Sequence, residues 1–78
     1  EAIKPLKLEV RKWEKEAERL RAILATIDKG LAAPGLYEKD PKTATELQIK
    51  RARAEDLIEA AEMNWLDAME RLEAAEAG

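Results

Sequence analysis

The sequence predicts an all-α protein, a two-helix antiparallel coiled-coil hairpin, and three observations carry that expectation. Apolar residues recur at alternating steps of three and four over two long stretches. Helix formers dominate a chain in which 40 % of the residues are charged and only 4 % aromatic. One short segment, residues 33–40, breaks the rhythm with Pro34, Gly35 and Tyr37 just ahead of Pro41.

The first helix is expected over about residues 3–32. Its seam runs Ile3, Leu6, Val10, Trp13, Ala17, Leu20, Leu24, Ile27 and Leu31 without a missed step. The turn at 33–40 follows, because Pro34 lacks a helical N–H and Gly35 tolerates left-handed backbone. Asp40 is placed to cap the next helix and Pro41 to occupy its first turn. That second helix, about 41–76, carries Ala44, Leu47, Arg51, Ala54, Ile58, Ala61, Trp65, Ala68, Leu72 and Ala75 on its seam. So short a connection favours antiparallel neighbours. Two registers are open, in which paired residue numbers add to about 71 or about 78. The favoured one, about 78, stacks Trp13 near Trp65 and sets Ile23 by Leu57, Arg21 by Glu55 and Glu9 by Arg71. It also brings Glu14 unfavourably close to Glu62.

Composition bounds the rest. At 78 residues the chain holds one small domain with a thin core. It contains no Cys and no His, so neither a disulfide nor a zinc site can staple it. No apolar run approaches the ~20 residues of a membrane span, and nothing resembles a signal peptide. A cytoplasmic protein without membrane contact is expected. The first residue is Glu1, not Met, and the chain reads as a piece of a longer protein.

Charge is unevenly laid out. Residues 1–29 and 30–54 each carry a net +2, whereas residues 55–78 carry −7. On the outward positions of the first helix stand Lys4, Arg11, Lys12, Lys15, Arg19 and Lys29 against one acid, Glu18. On those of the second stand Glu46, Asp56, Glu59, Asp67, Glu70 and Glu73 against one base, Arg53. A line of cations along a helix can track a phosphate backbone; equally, charge on a thin hairpin keeps it dissolved. Lys42, Lys50 and Arg53, with Arg51, form a second candidate phosphate-contacting cluster near the turn. Catalysis is not expected: there is no His, Cys or Ser, and the carboxylates lie on helices without a cleft. Glu55, Asp56 and Glu59 are read as a solvated face, since hard-cation sites need converging oxygens from a shaped loop.

Three further residues have two readings each. Trp13 and Trp65 are expected to pack in the seam, with base stacking the alternative. Tyr37 either covers the open end of the seam or meets a partner. Arg51 either lays its methylenes on apolar surface with its guanidinium in water, or joins the turn-proximal cations.

The segment "GLYEKDP" after a heptad helix, with "NWLDAMERLE" closing a second, resembles the C-terminal coiled-coil domain of ABC-F ATPases, the Uup-like group in particular. The matching positions are Leu36, Tyr37, Asp40, Pro41, Trp65 and Leu72, and the likeness covers about residues 6–75. Asn64 departs from it, standing where the family usually has a basic residue. The resemblance implies that residues 1–78 are a single C-terminal domain of a soluble protein with two tandem ATP-binding cassettes. ATP and Mg would belong to that parent and no cofactor to this part, which has no GxxxxGK[ST] loop. It further implies a DNA-binding role, DNA being favoured over ribosomal RNA, for a monomeric hairpin attached to its parent ATPase domains. A protein-interaction or spacer role, docking on the parent ATPase, the ribosome or another chain, is the competing expectation. Leu8, Ile49, Met63 and Leu66, apolar at outward positions, would supply its surface.

Overall fold

The computed structural model describes residues 3–78, and every regular element in that range is helical. Helix α1 spans Ile3–Leu31, a four-residue helix α2 spans Leu36–Lys39, and α3 spans Pro41–Ala77. The described chain is a rod with extents of 59 × 14 × 13 Å.

Helix α1 begins with Pro5 in its first turn, where the missing N–H would have had no intrahelical partner. Near its other end Lys29 complements the negative pole of the helix. The α-helical ladder gives way after Ala32, whose N–H still reaches the Asp28 carbonyl at 3.0 Å. Ala33 then bonds Gly30 at 3.3 Å, and Gly35 takes a left-handed φ of 73° that a side chain would strain. This reversal launches α2, an element the sequence reading treated as part of the turn.

Asp40 serves two helices at once. Its backbone N–H donates to the Leu36 carbonyl at 2.8 Å and closes α2. Its carboxylate accepts from the Thr43 N–H at 3.2 Å and from the Thr43 hydroxyl at 2.6 Å, capping α3. Pro41 follows in the first turn, with φ already suited to a helix. Tyr37 lies alongside α3, where its hydroxyl oxygen accepts a hydrogen bond from the Gln48 amide. The ring itself stays 55 % exposed, so it shields only part of the seam end.

Helix α1 packs along α3. Every seam position on both helices is buried or half-buried, from Ile3 to Leu31 and from Ala44 to Ala75. Among the described residues the buried set is Val10, Ala17, Leu20 and Ile27 on α1, and Ala44, Ala54, Ala61 and Ala68 on α3. At the middle, Ala17, Leu20 and Ala61 form the core, with Trp13 and Ile58 packed against it. Near the turn the Leu47 side chain packs over Gly30, where an added Cβ would lie 3.2 Å from the Leu47 Cδ1.

Side-chain bonds between the helices join Glu9 to Arg71, Glu14 to Trp65, Arg21 to Glu62 and Asp28 to Arg51. Partner numbers fall on α3 as they rise on α1. For three of these pairs the two numbers add to 79 or 80, close to the favoured register. Glu9 meets Arg71 as that register requires, whereas Arg21 reaches Glu62 and leaves Glu55 to Arg51. The unfavourable Glu14–Glu62 neighbourhood is thereby relieved, because Glu14 accepts from the Trp65 indole at 3.2 Å and Glu62 takes Arg21.

Trp65 is half-buried and supplies both apolar area and that indole donor. Replacing it by Ala should destabilise the fold by roughly 2–3 kcal/mol in urea-induced unfolding, below the full cost of an enclosed tryptophan. An unchanged midpoint would remove Trp65 from the packing.

Candidate nucleic-acid interface

Periodicity sends the seam of α1 toward α3, and so fixes which side chains are left outside. Lys4, Arg11, Lys12, Lys15, Arg19 and Lys29 are all exposed. By helical spacing most of them fall on one stripe, and the 25 residues from Lys4 to Lys29 span about 38 Å at 1.5 Å per residue. That is close to one turn of duplex DNA, roughly 34–36 Å.

The six cations are not equally free. Arg19 bonds Glu16 at 2.6 Å, which holds the Glu16 carboxyl below its usual range and raises the guanidinium pKa. The Lys12 ammonium sits 4.9 Å from the centre of the Trp13 ring, a cation–π placement. Among the described residues, no ion pair involves Arg11, Lys15 or Lys29. These are the cations with most to offer an anion.

Near the start of α1 a shallow groove of about 230 Å³ is lined by Lys4, Lys7, Leu8 and Arg11. Lys7 was missed because it flanks the seam and is not on the outward face. Its spacing of three and four residues from Lys4 and Arg11 was the available signal. Leu8 stands 66 % exposed between these cations.

The turn-proximal cluster divides. Lys42, Lys50 and Arg53 are exposed, and helical spacing puts them within about a quarter of the helix circumference, with Glu46 and Ile49 among them. Arg51 does not join them. It is half-buried, and its guanidinium, on the exposed side of the seam, holds Asp28 at 2.7 Å and Glu55 at 3.0 Å. The bridge to Asp28 explains how a charged residue is accommodated at a seam position.

The outward acids of α3, Glu46, Asp56, Glu59, Asp67, Glu70 and Glu73, are exposed as well. Asp67 is tied to Arg71 at 3.1 Å, and Arg71 reaches Glu9 on α1 at 2.8 Å. The Arg71 guanidinium thereby lowers the Glu9 pKa, with the Trp13 indole assisting. A larger open groove of about 560 Å³ lies over Trp65 and Leu66, rimmed by Glu14, Glu18 and Glu62 with Arg21. Its sign is wrong for phosphate. Among the described residues no group of three or more His, Cys, Asp or Glu is placed to hold a metal ion, and no helix is long and apolar enough to cross a membrane.

Comparison with family models, with curated proteins and with solved structures returns no match.

Three carboxylates have folded-state pKa values below their usual 4.5 or 3.8: Glu9 through Arg71, Glu16 through Arg19, and Asp40 through the Thr43 hydroxyl and N–H. A depressed folded pKa gives stability that is present above the unfolded value and lost as pH falls through the folded one. Thermal unfolding followed by circular dichroism should thus show a midpoint that drops progressively below about pH 4.5. Asp40→Asn, which keeps a capping oxygen, should show a shallower drop. A midpoint flat down to about pH 2 would contradict these assignments.

Proposed function

We propose that the chain is an antiparallel coiled-coil hairpin that acts as a non-catalytic nucleic-acid-binding module, holding phosphate backbone along the outer face of α1. The observation that supports it most is the line of exposed cations from Lys4 through Arg11, Lys12, Lys15 and Arg19 to Lys29, backed by a face of opposite sign on α3. Mixed signs would keep a rod in solution equally well; segregation by helix orients it toward an anion. Lys42, Lys50 and Arg53 provide a second contact near the turn. Contacts of this kind position a protein on the backbone and do not read bases.

DNA is the proposed class in preference to ribosomal RNA, on the ABC-F likeness alone. By the same likeness the hairpin is the C-terminal domain of a cytoplasmic ATPase whose cassettes bind ATP and Mg, and which supplies all nucleotide chemistry. A second reading has one observation in its favour. Leu8, Ile49, Met63 and Leu66 stand 52–66 % exposed, a pattern that suits a spacer docking on the parent ATPase, the ribosome or another chain.

The test is fluorescence anisotropy with labelled duplex, branched and single-stranded DNA and an RNA hairpin, each at two salt concentrations. Binding to DNA should weaken steeply with salt, by about 0.9 in log K per unit log salt for each phosphate contact on duplex. Changing Arg11, Lys12, Lys15 and Arg19 to Glu should lower low-salt affinity at least about tenfold and flatten that slope. Equal binding by this variant would remove the α1 face from the account.

A further inference from the structure

The face left unexplained by phosphate binding is the acidic one. A second nucleic acid would be repelled there, and the α3 outer face is covered by nothing in the chain itself. We propose that it docks on the basic outer face of α1 in a second copy of this chain, so that hairpins associate side by side in the same sense. The inference rests on the hairpin reading given above, because it uses the levels at which the two helices face one another.

The first argument is charge complementarity. The outward residues of α1 are six cations and Glu18, and those of α3 are six acids and Arg53, so the two faces are opposite in sign. The second is register. When two hairpins lie alongside in the same sense, the residues level across the new contact are those level within each hairpin. The Asp28–Arg51, Glu14–Trp65 and Glu9–Arg71 pairs set those levels at numbers adding to 79 or 80. Arg11 then comes level with Asp67 and Arg19 with Glu59, each within two residues, and Lys4 with Glu73 within three, without any slide. Opposite charges meet at three heights along the rod.

Apolar groups fall into the same contact. Leu8, 66 % exposed within the basic face, comes level with residues 71–72 and so lies about one and a half helical turns from Leu66, which is 52 % exposed. The contact uses different faces on the two partners, so it does not close at two copies and continues as a ladder. Lone surface pairs contribute little, and the association is weak and abolished by salt.

Analytical ultracentrifugation without nucleic acid tests this directly. At low salt the weight-average mass should rise with concentration above the 8.8 kDa of one chain, and at high salt it should return to that value. An Arg11→Glu/Arg19→Glu variant and an Asp67→Lys/Glu59→Lys variant should each remain monomeric alone. Mixed in equal amounts they restore opposite faces and should associate again, which a merely misfolded variant would not do. A constant mass at low salt, or a mixture that stays monomeric, overturns the proposal. No nucleic acid takes part, so loss of DNA binding would leave this result standing, and the reverse also holds.

Discussion

The fold depends on one constraint: two apolar stripes, each too narrow to bury itself, must cover one another along their whole length. Within the described residues each long helix packs its stripe on the other. The packing is asymmetric. Helix α3 contributes alanines to the buried set, and α1 contributes Val10, Leu20 and Ile27 beside its single Ala17. Small residues on one side admit larger ones from the other, and this lets the helices approach closely. Among the described residues no large side chain is fully enclosed. Cohesion is accordingly spread over many shallow layers and lacks a single deep centre.

A seam of that kind dictates where charge can go. Side chains flanking it pair across the helices, as Glu9 does with Arg71 and Arg21 with Glu62. Those farther out have no such partner and give each helix its own sign. The separation follows: flanking charges pair across the seam, and outward charges stay exposed on their own helix. Arg51 shows the boundary between these roles. Its sequence neighbours suggested a phosphate contact, yet its place on the seam commits it to Asp28 and Glu55.

Much of this was legible beforehand because it depends on spacing and backbone chemistry. The apolar steps marked each seam residue from Ile3 to Ala75, and Asp40–Pro41 marked the start of α3 through a cap and a fixed φ. What escaped depends on side-chain rotamers and local closure. Arg21 had Glu55 and Glu62 within reach, and the choice turned on Arg51 taking Glu55. Helix α2 is a single turn set by Gly35 and closed by the Asp40 N–H, which no periodicity can register in four residues. The outward cations could be named from the sequence, but not that Arg19 is tied to Glu16 or that Lys7 lines the groove with Lys4 and Arg11. Their ligand lies beyond geometry, since a basic helix face accepts any polyanion.

The central claim is that α1 and α3 of one molecule lie flank to flank in opposite directions. Having no native cysteine, the chain takes spin labels cleanly at Glu16→Cys and Asn64→Cys, positions on the same flank of the seam. Pulsed dipolar spectroscopy, with labelled chains diluted in unlabelled ones, should give a distance on the order of 20 Å, set by helices packed 8–10 Å apart plus the label arms. A distance near 70 Å, that of one continuous rod at 1.5 Å per residue, would contradict the account.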